Sequence, residues 1–124
     1  VGAYGVDGEV MVLPITEIIS ENDFFDYDAK YNGKSQEITP ARLDANTVEE
    51  VHNNVKKLYR QLGLSGVCRS EFIIEGGTPH LLEVNTIPGL TAASLIPQQV
   101  SAAGIELSDF FESLLTEAMK KPLI

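Results

Sequence analysis

Alternating apolar and polar positions open the chain, where Val1–Gly5 and Glu9–Leu13 read as two strands flanking Asp7-Gly8. Both turn residues tolerate positive φ, so the segment predicts a tight hairpin. Pro14 marks an edge or a bulge, and Ile15–Ile19 continues in an extended style. Between Glu21 and Pro40 the pattern is lost, with Phe24, Phe25 and Tyr27 set among Asp, Asn and Gly at no fixed period. A loop of about 15–20 residues inside one domain is uncommon, and is usually functional or disordered.

The clearest helix follows. Thr47 with Glu50 three residues on is a capping-box pattern, and Val48, Val51, Val55, Leu58 and Leu62 recur at steps of three and four. His52 and Tyr59 flank this stripe, and Gly63 supplies the stop. Val67–Ile74 and His80–Asn85 predict a second hairpin around Gly76-Gly77. A helix is expected from Thr91 or Ala92 to Gly104, and another after Ser108 that buries Phe111, Leu114, Leu115 and Ala118. The fold class expected from this order is α+β, an antiparallel sheet with helices packed on it.

Composition narrows the functions such a fold can serve. With 124 residues, 44% of them hydrophobic, the chain can build one sizeable core. Nine basic against 18 acidic residues leave a formal charge of −9, which repels nucleic-acid backbones and anionic lipid. No nucleic-acid partner and no membrane association are therefore expected. The single cysteine, Cys68, rules out an internal disulfide framework and fits a reducing compartment. No apolar run approaches the ~20 residues of a membrane span. Because it opens at Val1 already in strand-like sequence, the chain is read as a piece of a longer protein.

Parity within the second hairpin carries the chemistry. Side chains alternate faces along a strand, so Arg69, Glu71 and Ile73 share one face and Cys68, Ser70, Phe72 and Ile74 the other. With the turn centred near Gly77, Glu71 should oppose Glu83, Arg69 should oppose Asn85, and Ile73 should oppose Leu81. Opposed carboxylates lie about 4.5–5.5 Å apart at Cβ and repel, unless a divalent cation lies between them. Hard oxygen ligands on a rigid sheet suit Mg²⁺, with phosphate and water completing its shell, and Arg69 could stabilise developing negative charge. The competing reading is an acidic module without catalysis, in which Glu71 and Glu83 bind Ca²⁺ or face solvent. His80 is expected on the face opposite Glu83, His52 on a helix flank, and Cys68 in the core.

After the strand comes Glu83-Val84-Asn85-Thr86-Ile87-Pro88-Gly89-Leu90-Thr91, then Ser94-Leu95-Ile96-Pro97. Pro88-Gly89 imposes a turn, and the helix start beyond it favours an anion such as a carboxylate. This string, with Cys68-Arg69-Ser70-Glu71-Phe72-Ile73 before it and Phe24-Phe25-Asp26-Tyr27-Asp28-Ala29-Lys30-Tyr31 earlier, resembles D-alanine–D-alanine ligases of the ATP-grasp superfamily. The resemblance spans almost the whole chain. It implies that residues 1–124 are the C-terminal subdomain of an ATP-grasp fold, with 21–40 a mobile ω-loop over the site.

The resemblance further implies that ATP phosphorylates one D-alanine and the amine of a second attacks the acyl phosphate, making a peptidoglycan precursor in the bacterial cytoplasm. Glu71, Glu83 and Asn85 would hold two Mg²⁺ ions, replaceable by Mn²⁺. Arg69 and the Gly89 N–H would stabilise the tetrahedral oxyanion, while Ser94 and the Leu95 N–H would hold the second D-alanine's carboxylate. Lys30 would contact the terminal phosphate, Tyr31 would lock the loop, and Phe24 and Ile73 would border the adenine. Glu71 stands where the family commonly has Asp. The resemblance also implies N-terminal and central regions beyond this chain, without which it would not turn over, and a full-length homodimer. Related ligases that join D-alanine to D-lactate or D-serine are the rival within the class, and Tyr31 favours the dipeptide-forming type.

Overall fold

The structure, a computed structural model, describes residues 1–20 and 35–121. Its elements in chain order are β1 (Gly2–Val6), β2 (Glu9–Val12), β3 (Glu17–Ser20), β4 (Ser35–Ile38), α1 (Ala45–Gln61), β5 (Cys68–Glu75), β6 (Thr78–Asn85), α2 (Leu95–Ala102) and α3 (Leu107–Met119). Strands β2-β1-β5-β6 form an antiparallel sheet, and β3 pairs with β4 in a separate two-stranded ribbon. The α+β class expected from the element order is what the chain adopts. Both tight turns form as expected: φ is positive at Asp7 and Gly8, and again at Gly76 and Gly77, giving a twist that matches the flanking strands.

β1 is buried on both sides, and this organises the core. On one side Ala3 joins Val10, Val51, Val55, Tyr59 and Cys68, with Phe72, Ile74 and Val84 packed against them. On the other, Tyr4 joins Leu13, Ile96, Val100 and Phe110. The Tyr4 and Phe110 rings meet edge to face, their centroids 5.0 Å apart. Helix α1 thus covers one side of the sheet, and α2 with α3 covers the other.

Several helix details differ from expectation. Helix α1 is capped by Asp44, whose carboxylate accepts from the Thr47 N–H at 2.7 Å, so Thr47 lies inside the first turn and is buried. A short carboxylate three residues before that N–H satisfies an orphan donor and meets the positive end of the helix dipole. The buried stripe runs Val51, Val55, Tyr59, whereas Leu62 is 57% exposed at the C-cap. Tyr59 takes the inner place because its hydroxyl donates to the Gly66 carbonyl at 2.7 Å.

Helix α2 starts at Leu95, because Thr91–Ser94 form a turn closed by the Ser94 N–H on the Thr91 carbonyl. It ends at Ala102, before Gly104 in the left-handed conformation. Helix α3 begins at Leu107 and buries Phe110 fully, while Phe111 and Leu114 are half-buried and Leu115 is 66% exposed. Its apolar stripe is wider than its contact with the sheet, so Leu115 and Ala118 fall outside that contact. Lys120 ties the end of α3 to the first hairpin, with Nζ 2.6 Å from Asp7 Oδ1 and 2.9 Å from Glu117 Oε1. These two carboxylates push its ammonium up to about 12.

Candidate functional site

The expected pairing at the acidic end of the second hairpin is present: Arg69 opposes Asn85 and Glu71 opposes Glu83. One step further the register shifts. Phe72 pairs with Leu81 and Ile73 with His80, so Leu82 is an extra residue in β6. This bulge corrects two expectations: Ile73 does not face Leu81, and His80 shares the Glu71 face instead of the opposite one. Strand β5 alternates without interruption, so the added residue in its partner puts the β6 side chains between the turn and Leu82 on the other face from the one that alternation counted back from Glu83 would give.

The inner side chains of β5 (Cys68, Ser70, Phe72 and Ile74) are buried or packed on the α1 core, as the alternation predicts. Burial raises the Cys68 thiol above its ordinary range, which keeps it an unreactive core residue. Arg69, Glu71 and Ile73 stand on the other face, with Ile73 53% exposed. Arg69 Nη2 donates to Glu71 Oε1 at 3.1 Å, and the two side chains are only 16% and 25% exposed. Arg69 Nε is buried without a hydrogen-bond partner among the described residues. A guanidinium held in place by one carboxylate, with a further donor unmet, is suited to receive an anion.

The donor set fits a hard divalent cation that takes part of its shell from phosphate and water. Glu71 and Glu83 are directly opposed. Asn85 Oδ1 accepts from the Ile87 N–H at 3.0 Å and keeps a second lone pair. Among the described residues no group of three or more His, Cys, Asp or Glu side chains is placed to hold a metal ion.

The turn leading into α2 brings the second set together. Pro88 is buried, and Gly89 lies so close to Ser94 that an added Cβ would come 2.8 Å from Ser94 Oγ. Ser94 Oγ bonds with Thr91, accepting from its N–H at 3.2 Å and lying 2.8 Å from its Oγ1. Although Ser94 is the N-cap residue, its side chain makes no capping bond to α2, and Leu95 opens the helix. Unfilled N–H groups at a helix start favour a carboxylate.

Phe24, Lys30 and Tyr31 lie outside the described residues, as does most of the 21–40 segment. His52, on α1, is half-buried with Nε2 unpartnered among the described residues. Burial, helped by the Lys56 ammonium, lowers its pKa. A cavity of about 420 Å³ lined by Val10, Tyr59, Leu64 and Leu114 includes none of the candidate site residues. Sequence reasoning passed over Gln99, which is fully buried; a glutamine between Ile96 and Val100 on an apolar helix face was the available signal.

A family model described as D-ala D-ala ligase C-terminus matches residues 1–116. The D-alanine–D-alanine ligase of Flavobacterium johnsoniae is 56% identical over 115 residues, covering 93% of this chain and 36% of that protein. The one from Flavobacterium psychrophilum is 47% identical, covering 99% of this chain and 38% of that protein. The chain therefore spans little more than a third of the length of these relatives. Among solved structures, the Bacillus anthracis D-alanine–D-alanine ligase complexed with ATP superposes with a TM-score of 0.74 at 33% identity, covering 96% of this chain and 39% of that one. A D-Ala:D-Ser ligase from Enterococcus faecalis gives 0.75 at 31% identity, covering 93% and 34%. Strand pairing, the turn after Asn85 and these likenesses agree: the chain belongs to the D-alanine–D-alanine ligase C-terminal family.

Proposed function

We propose that this chain is the C-terminal ATP-grasp subdomain of a ligase that joins two D-alanines at the expense of ATP. The observation that carries the reading is the shared face on which Glu71 opposes Glu83, with the half-satisfied Arg69 guanidinium beside them. In the proposed reaction the terminal phosphoryl group passes to a carboxylate oxygen of the first D-alanine, releasing ADP. The amine of the second D-alanine then attacks the acyl carbon. The C–N bond forms, the amine loses a proton, and inorganic phosphate leaves with the C–O bond electrons.

Each group has a physical task. Arg69 and the Gly89 N–H donate to the tetrahedral oxyanion as its charge develops. Ser94 Oγ and the Leu95 N–H hold the acceptor carboxylate at the start of α2 and so orient the attacking amine. Glu71, Glu83 and Asn85 would hold Mg²⁺, or Mn²⁺ in its place, which when bound neutralises charge on the phosphate oxygens. Lys30 at the terminal phosphate, Tyr31 in the ω-loop, and Phe24 and Ile73 beside the adenine complete the proposed site. The N-terminal and central regions, a homodimeric assembly and action in the bacterial cytoplasm belong to the same proposal.

Membership of a ligase family weighs against the non-catalytic acidic module. The likeness to a D-Ala:D-Ser ligase makes D-serine the acceptor to compare, with D-lactate alongside it. In the full-length enzyme, ATP-dependent phosphate release with D-alanine should exceed that with either alternative; preferential ester formation with D-lactate near neutral pH overturns the dipeptide assignment. Glu83→Gln should lower kcat about 100-fold or more and weaken the dependence on Mg²⁺, because a charged ligand becomes neutral. Unchanged turnover and metal dependence in that variant would remove the metal assignment.

A further inference from the structure

Gln99 is fully buried, and both ends of its amide are used. Oε1 accepts from the Gly2 N–H at 2.7 Å, and Nε2 donates to Thr16 Oγ1 at 3.0 Å. The β1–β2 ladder ends where the Leu13 N–H bonds the Gly2 carbonyl; Pro14 follows, and the glutamine takes up the Gly2 N–H. Gly2 is the residue paired with Arg69 across β1 and β5. A Cβ on Gly2 would come 2.5 Å from Ile96 Cδ1 and 3.0 Å from Gln99 Oε1, so α2 lies directly on the backbone at this point. At the other end of α2, little more than one turn away, stand Ser94 and Leu95. One amide therefore joins the helix that follows Ser94 to the strand that flanks Arg69.

We infer that Gln99 is a positioning residue, which fixes the α2 start and its acceptor-carboxylate subsite relative to the Arg69 guanidinium. The inference rests on the proposed ligase function and adds to it the residue that sets the spacing between the two anion-binding groups. Thr16 has a secondary part. Its hydroxyl, 2.6 Å from Thr39 Oγ1, engages the amide nitrogen and thereby keeps the amide oxygen on Gly2. Gln98 makes a separate tie from the same helix, donating to Glu37 Oε2 at 2.6 Å, so α2 is also anchored to the β3–β4 ribbon. Loss of the Gln99 amide consequently shifts the helix start without releasing the helix.

The test is steady-state kinetics of the full-length ligase carrying Gln99→Met, which keeps side-chain length and removes both hydrogen bonds. The KM for the acceptor D-alanine, measured with the donor site saturated, should rise about tenfold, while the KM for ATP and for the donor D-alanine stay within about twofold. Gln99→Glu keeps an acceptor for the Gly2 N–H and should bring the acceptor KM back to within about threefold of the unsubstituted enzyme. An unchanged acceptor KM in Gln99→Met, or an equal rise in all three KM values, overturns the inference, the second result indicating general destabilisation. If Gln99→Met does not fold, Thr16→Val is read by the same split: a rise of about threefold confined to the acceptor supports the role, and no rise overturns it. Failure of the ligase reading itself shows separately, as absence of D-alanine ligation by the unsubstituted enzyme.

Discussion

Replacing Arg69 by methionine separates stability from catalysis, because the two respond to different atoms of one side chain. Methionine keeps most of the apolar stem and deletes the guanidinium. The folded state loses the 3.1 Å contact with Glu71, a partly exposed pair worth up to about 1 kcal/mol, and Glu71 then faces Glu83 without a neighbouring cation. It also sheds the unpartnered Nε, whose dry burial costs about 1–3 kcal/mol. These contributions offset to within about 1 kcal/mol, which in the longer full-length enzyme is a change in Tm of no more than roughly 2–4 °C. Catalysis has no such offset. Removing one donor to a developing oxyanion typically costs about 10²–10³ in kcat, or ~2.7–4 kcal/mol. Phosphate release by the full-length enzyme, measured beside thermal unfolding, should therefore show activity nearly abolished in a folded protein. Arg69→Lys should recover only part of the rate, since an ammonium lacks the planar fork of donors. A kcat within about threefold of the unsubstituted enzyme, or a Tm loss beyond about 10 °C, would refute the reasoning.

Two further outcomes test the scaffold. Phe110→Ala removes a fully buried ring stacked edge to face on Tyr4 and should cost about 3–5 kcal/mol in urea denaturation; a loss below about 1.5 kcal/mol would mean that α3 is not anchored through this ring. His52 has its pKa lowered by burial, so as pH falls through about 6.5 the unfolded state takes up its proton before the folded state does. The His52 contribution to stability should consequently be flat above about pH 7.5 and decline on acidification through that window, and His52→Gln should remove that share of the decline. Parallel pH–stability curves for the two proteins would remove His52 from the account.

Much of the candidate site's layout was legible before any coordinates, and the reason is local. Strand alternation depends only on backbone geometry, so Arg69, Glu71 and Ile73 could be assigned to one face; the two-residue Gly76-Gly77 turn by itself would set Glu71 against Leu82, and it is the bulge at Leu82 that brings Glu83 opposite. The string from Glu83 to Pro97 identified the family, because turn chemistry and site chemistry are written there in consecutive residues. The register beyond Glu71 was not legible. No Gly or Pro flags the bulge at Leu82, and its existence depends on how β6 packs across β5, so His80 was assigned to the wrong face. Helix starts were misjudged for a related reason. Asp44 and Thr47 are both acceptable caps, and Thr91 and Ser94 both acceptable starts, until tertiary packing buries Thr47 and closes the Thr91–Ser94 turn. Gln99 shows the division most sharply. Its polarity on an apolar helix face was visible, but its partners Gly2 and Thr16 lie 97 and 83 residues away, and only the folded chain brings them to one amide. Short-range patterns are fixed by bond geometry and residue type, whereas contacts across such separations exist only after the sheet and helices have packed.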